Sequence, residues 1–132
     1  MTKAGKVWGT TRLVKANPAF EVHHISARAN SQCSKHKHAH KVNGFYVITG
    51  QLAIDVWKND YDLTDTTVLK AGEYGEVRAG EYHRFRALTD VEAMEIYFVR
   101  LDPDDIERKD VGSGPSVVDE MFDAQDRVTG AS

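Results

Sequence analysis

The stretch Gln51 to Lys58 narrows the fold of this chain more than any other. Leu52, Ile54 and Val56 fall on one side of an extended segment, and Gln51, Ala53, Asp55 and Trp57 on the other, which is the period-two pattern of a half-buried strand. The segment before it, Phe45-Tyr46-Val47-Ile48-Thr49, has the β-branched and aromatic content that suits a pleated surface, and Gly50 between the two predicts a hairpin. Further short extended segments are expected at Val7–Val14, Phe20–Ala29, Thr66–Lys70, Tyr74–Arg78, His83–Leu88 and Val91–Leu101. In the last of these, Met94, Ile96 and Phe98 form a plainly apolar face, alternating with Ala93, Glu95 and Tyr97. Turn residues separate the segments: Asn17-Pro18, Asn30-Ser31-Gln32, Lys58 to Asp62, Ala71-Gly72, Gly80 and Asp90. So many short strands predict an all-β sandwich or barrel.

A chain of 132 residues is long enough to bury one core without staples. The strand pattern stops at Asp102-Pro103, which places a barrel at 1–112 and leaves 113–132 as a C-terminal tail or short helix. For the helix, Ser116 would be the N-cap of Val117–Val128, with Val118, Met121 and Phe122 on one face. A net charge of −3, with lysines clustered only around His36 and His38, gives no footprint for nucleic acid. The single cysteine, Cys33, has no partner within the chain, as expected in a reducing cytosol, and its position fits a small buried residue. No apolar run approaches eighteen residues and the first residues lack a signal peptide's apolar stretch, so a soluble, cytoplasmic protein without membrane contact is expected.

Chemistry concentrates in Lys35-His36-Lys37-His38-Ala39-His40. In an extended segment the three imidazoles project to one side, and imidazole is the commonest protein ligand for borderline divalent metals. A bent segment or a contribution from elsewhere is needed for them to share an ion, and His83, which follows the Gly80-Glu81-Tyr82 turn, supplies the missing imidazole. His36 or His40 completes the set with His38 and His83. The competing reading is a charged, solvated edge strand. His23 and His24 match no ligand position and read as ordinary hydrogen-bonding residues. Trp8 and Trp57 read as packing.

The spacing of these histidines resembles that of the cupins. The first cupin motif runs Gly, five residues, His, one, His, three or four, Glu, six, Gly; here the positions hold Asn30, His36, His38, Asn43 and Gly50. The second runs Gly, five, Pro, one, Gly, two, His, three, Asn; here they hold Gly72, Arg78, Gly80, His83 and Ala87. Six of the ten positions carry the family residue and every spacing holds. Over residues 6–112, Trp8-Gly9, Phe20-Glu21-Val22, Phe45 to Gly50, Ala79 to Phe85 and the ending Asp104 to Val111 are similar to the phosphomannose isomerase domain of type II mannose-1-phosphate guanylyltransferases and to small stand-alone cupins.

That resemblance implies a double-stranded β-helix, a jelly-roll barrel with a metal near its mouth. It implies His36, His38 and His83 as ligands to a divalent ion, whether zinc, manganese, iron or nickel, with Asn43 where the family has an acidic ligand. An asparagine carbonyl is neutral and weaker than a carboxylate, so Asn43 and His40 are candidates for the ligand set or for its surroundings. The expected substrate is a small molecule, a sugar or sugar phosphate, and the expected assembly is a homodimer.

Aldose–ketose isomerisation would use such a metal as a Lewis acid, with a base to move a proton and a cation for any phosphate. His40, Glu81 and Glu95 are the candidate bases; Lys37, Lys41, Arg84 and Arg86 are the candidate cations, and Arg84, Arg86 and Glu95 the candidate substrate contacts. The overall resemblance favours the isomerase; two further functions fit the residues, a His-ligated iron dioxygenase and a non-catalytic carbohydrate-binding or regulatory module, with which the departures at Asn43, Arg78 and Ala87 are consistent.

Overall fold

The structure is a computed structural model and describes residues 3–58, 63–99 and 104–115. Among these, ten strands follow in chain order: β1 (Lys3–Lys6), β2 (Gly9–Asn17), β3 (Phe20–Ala27), β4 (Ser31–Gln32), β5 (Val42–Thr49), β6 (Gln51–Trp57), β7 (Thr64–Lys70), β8 (Tyr74–Val77), β9 (Tyr82–Ala87) and β10 (Val91–Phe98). All strand pairings are antiparallel. One sheet has the order β1-β2-β3-β10-β5-β8 and the other β4-β9-β6-β7, the two layers of a jelly roll. The described residues contain no helix, and hence none long and apolar enough to cross a membrane.

The chain divides after Arg100 into two units, and every strand lies in the first. In the second, described residues 104–115 are irregular apart from a turn at Asp104 and a bend at Lys109 and Asp110: the Ile106 N–H donates to the Asp104 carbonyl at 2.8 Å, and the Gly112 N–H to Asp110 Oδ1 at 2.9 Å. The loop expected at 59–62 and the helix expected at 117–128 lie outside the described residues.

The core lies between the sheets. Ile25, Phe45, Val47, Leu52, Val77, Val91 and Ala93 are essentially inaccessible, and Phe85 meets Trp8 edge-on at 4.9 Å and Phe45 at 6.0 Å between ring centroids. As expected, Leu52 and Ile54 of β6 point into this core and Val56 packs against it.

Three sequence expectations are corrected and one strand is added. Gly50 does not close a hairpin, because β5 pairs with β10 and β8 whereas β6 pairs with β7 and β9. It carries the chain from one sheet to the other, with φ of +90°, and a Cβ there would collide with the Asp90 carbonyl. The polar start forms β1, an edge strand that needs main-chain partners on β2 and no apolar face. The histidine tract is not a regular strand: beyond β4, one bridge, His36 opposite His83, ties it to β9. In β10 the buried residues are Val91, Ala93 and Glu95, so Met94, Ile96 and Phe98 occupy the outer face. The inner face carries Glu95 and Tyr97 in place of a fully apolar row.

Gly9 opens β2 opposite Ala27, and a Cβ on it would collide with the backbone carbonyl of Ser26. The close approach holds Trp8 over the core, where its carbonyl accepts the Arg28 N–H at 2.9 Å. Because the clash is with backbone, the strands would have to part, and Gly9→Ala is expected to cost about 3 kcal/mol, the upper end for overpacking. Urea unfolding reads this directly; a midpoint equal to wild type would contradict the packing described.

Candidate metal centre

His36 and His38 sit on the extended segment after β4, His83 on β9, Asn43 on β5 and Glu95 on β10. The His36–His83 bridge, with N–O distances of 3.0 and 2.8 Å, brings two imidazoles to 4.5 Å between centroids, and His38 lies 5.0 Å from His36 and 5.6 Å from His83. One ring nitrogen from each of the three falls within 4.8 Å of the others.

The remaining hydrogen bonds decide which nitrogens are free. His36 Nδ1 meets the Ser34 carbonyl at 2.7 Å and His83 Nδ1 meets the Glu81 carbonyl at 2.9 Å. A carbonyl only accepts, so the His36 proton sits on Nδ1 and its Nε2 keeps a lone pair, and His83 Nδ1 can donate to Glu81 in the same way. His38 Nε2 is buried and has no hydrogen-bond partner. Burial, aided by the charges of His36, Lys41 and His83, pushes the His38 pKa down to about 4. Burial likewise lowers that of His83, against the opposing hydrogen bond to Glu81. Both rings are therefore held neutral, the form that binds metals.

Asn43 Oδ1 lies 3.0 Å from His83 Nε2, and both atoms are buried. A neutral ring has one proton for two carbonyl neighbours, so with that proton on Nδ1 the His83 Nε2 and Asn43 Oδ1 face each other as two acceptors. A cation beside them would resolve the conflict, since both atoms carry lone pairs suited to a divalent ion. An orphaned imidazole nitrogen, two confronted acceptors and rings fixed by carbonyls all fit a divalent ion held by His36, His38 and His83, with Asn43 beside them.

The acidic group stands one step behind. Asn43 Nδ2 donates to Glu95 Oε2 at 3.3 Å, which turns the amide oxygen toward His83, and Tyr97 bonds the same carboxylate. Burial raises the Glu95 pKa against these hydrogen bonds, and raises that of Tyr97, helped by the Glu95 charge. Glu95 faces a cavity of about 560 Å³ that also reaches His36. Trp8, Phe85 and Tyr97 give it aromatic walls; Thr11 and His23 add polar groups.

The other candidates are placed as follows. His40 is exposed and outside the three-imidazole cluster. Arg84 and Arg86 project from the opposite face of β9 to His83, where both bind Asp55. Lys37 lies over the Tyr82 ring, and Glu81 receives Lys58 at 3.2 Å. Lys41 lies over Tyr97 at 4.1 Å and pairs with Glu21. Burial lifts the Cys33 thiol to about 11, and its sulfur accepts the Phe85 N–H, so it is a packed thiol and not a nucleophile.

His23 and Tyr97 escaped the sequence reading. Their parity would have found them: His23 shares the inward side of β3 with Ile25 and Ala27, and Tyr97 that of β10 with Ala93 and Glu95. His23 stands directly opposite Glu95, 3.5 Å from Thr11 Oγ1. His24 turns outward to Glu92 at 3.1 Å.

No curated protein matches this sequence. Among solved structures, KdgF from Halomonas sp. is similar over 77% of this chain and 89% of its own, at 14% identity and a TM-score of 0.64. A Bacillus subtilis oxalate decarboxylase mutant is similar over 78% of this chain at 14% identity and a TM-score of 0.65, but this chain spans only 29% of it. A conserved Streptococcus pyogenes protein of unknown function is similar over 70% of this chain and 75% of its own, at 12% identity and a TM-score of 0.58. These likenesses show the fold. The cupin domain model matches residues 23–100, more than half of the sequence, and the chain belongs to the cupin family.

Proposed function

We propose that this cupin is a metal-dependent enzyme that moves a proton on a small sugar or sugar phosphate, in the manner of an aldose–ketose isomerase. One observation carries the reading: a buried carboxylate, Glu95, lines the same cavity as His36, which belongs to a cluster of three imidazoles that fits a divalent ion. His36, His38 and His83 would hold the metal, with the Asn43 carbonyl beside them, and nitrogen-rich sets of this kind suit zinc, manganese, iron or nickel. What the ion supplies when bound is Lewis acidity toward a carbonyl or hydroxyl oxygen.

The remaining work falls to the chain. Glu95 Oε2 is engaged by Asn43, and the carboxylate has its affinity for protons raised by burial, as a group that must both take and return a proton requires. Thr11, His23 and Tyr97 offer hydrogen bonds to hydroxyls, and the aromatic walls suit the C–H faces of a sugar ring. Lys6, exposed at the cavity, is the cation placed to meet a phosphate, whereas Arg84 and Arg86 are engaged elsewhere. The sequence resemblance to phosphomannose isomerase domains supports the same substrate class.

Metal-loaded protein incubated in D₂O with mannose 6-phosphate and with unphosphorylated hexoses is expected to introduce deuterium at C1 of the ketose product and at C2 of the recovered aldose. Glu95→Gln, which keeps the size of the side chain, should slow that exchange by roughly 10²–10⁴-fold. Sugar binding without exchange would favour a carbohydrate-binding module, the reading that Asn43 in the glutamate position keeps open; neither binding nor exchange would overturn the proposal.

A further inference from the structure

The lysines that alternate with the histidines are not simply solvated. Extended geometry turns Lys35 and Lys37 to the side opposite His36 and His38. There, Lys35 Nζ lies 4.3 Å from the centroid of the Trp57 ring and 5.6 Å from that of Tyr82, and Lys37 Nζ lies 4.7 Å from Tyr82. Arg84 also lies over Trp57, at 5.2 Å. Trp57 and Tyr82 are cross-strand partners on β6 and β9, and Tyr82 immediately precedes His83. The segment that carries His36 and His38 has few other restraints: Cys33 and His36 bond to β9, and the His38 carbonyl accepts the Gly80 N–H at 2.7 Å.

We infer that Lys35 and Lys37 are positioning residues for the metal centre, clamping the His36–His38 segment onto the Trp57 and Tyr82 rings so that its imidazoles meet His83. The inference rests on the reading that these imidazoles hold a metal. Each lysine stands on the outer face of its segment between or beside ligands, so its grip fixes the rotation that points the histidines inward. A cation–π contact at an exposed site is a modest attraction, but two of them act on a segment with a single bridge to its neighbour strand.

The sign of the effect separates the clamp from simple electrostatics. Two ammonium groups near a divalent ion repel it, so on charge alone their removal tightens metal binding. Under the clamp, removal weakens it. The experiment measures zinc affinity by chelator competition for wild type, Lys35→Met/Lys37→Met, Lys35→Arg/Lys37→Arg and Trp57→Leu, with the melting of each metal-free protein recorded alongside. The methionine pair is expected to bind zinc about tenfold more weakly, and the arginine pair, which keeps the cations over the rings, to bind within about twofold of wild type. Trp57→Leu removes the ring under Lys35 but leaves Lys37 over Tyr82, so it should weaken binding by a smaller factor, and combining it with the methionine pair should add little to the pair's loss.

Unchanged or tighter zinc binding in the methionine pair overturns the clamp while leaving the metal centre standing. Additive losses overturn it as well, as does a weakening that arginine fails to restore. If the methionine pair melts early without metal, the Trp57→Leu affinity and the arginine rescue decide on the same criteria. Wild-type protein that takes up no zinc overturns the metal reading itself, an outcome distinct from failure of the clamp.

Discussion

His38→Phe is expected to strip the protein of its metal and to make the metal-free form more stable. His38 Nε2 is buried without a hydrogen-bond partner, so in the absence of an ion it represents an uncompensated polar atom. Phenylalanine keeps a ring against Tyr97, whose centroid is 5.1 Å away, and leaves no nitrogen to satisfy. Removing a buried unsatisfied group typically returns about 1 kcal/mol or more. Losing one of three imidazoles should weaken metal binding by more than about a hundredfold, beyond the loss seen when only a ligand's supporting group is removed. Chemical unfolding of the metal-free proteins and chelator competition measure the two effects separately. A variant that is less stable without metal, or that binds metal as tightly as wild type, would show that His38 is a packing residue.

Asp55→Ala is expected to lower stability by about 3 kcal/mol. Asp55 is 1% exposed, and it accepts from Arg84 Nε at 2.8 Å, Arg86 Nε at 2.7 Å, Arg86 Nη2 at 3.0 Å and Thr66 Oγ1 at 2.7 Å. Breaking a buried ion pair costs about 3–5 kcal/mol, and the partial exposure of both guanidiniums, which lets water reach them, puts this case at the lower end. Burial alone would raise the Asp55 pKa, but the hydrogen bonds from Arg86, Arg84 and Thr66 outweigh it and bring the group from 3.8 down to about 2. A carboxyl with a depressed folded-state pKa stabilises the fold above its ordinary pKa and loses that contribution as pH falls through the folded value. The contribution is about 2 kcal/mol at neutral pH and is lost between about pH 4 and pH 2. Unfolding free energies of wild type and Asp55→Asn should therefore converge over that range. A gap that persists at pH 2 would assign the loss to shape and not to charge.

The strands were legible because most obey a simple period. Leu52, Ile54 and Val56 face the core as their alternation requires, and Gly72 and Gly80 take the positive φ that their turns predict. His36, His38 and His83 also come together, because the bridge between His36 and His83 brings the tract onto β9. What failed did so for physical reasons. A glycine turn has the same local chemistry whether the chain returns along its own sheet or crosses to the next, so Gly50 could not reveal which. In β10 the apolar row faces outward, while the inner row carries Glu95 and Tyr97, which line the cavity. A strip that serves chemistry breaks the hydrophobic pattern that marks an inside. Arg84 and Arg86 differ from His83 by odd steps on one strand, so alternation places them on its other face. Asp55 needed the structure, since only the pairing of β6 with β9 brings it to both arginines.

The measurement that bears most directly on the metal centre is X-ray absorption at the edge of whatever divalent metal elemental analysis finds in purified, untagged protein. The account predicts near-stoichiometric metal with three imidazole ligands and at least one oxygen, and it predicts that His83→Ala abolishes that signal. Substoichiometric metal bound by fewer imidazoles, or metal that survives His83→Ala, would mean that the histidine tract binds ions on its own and that the buried centre does not exist.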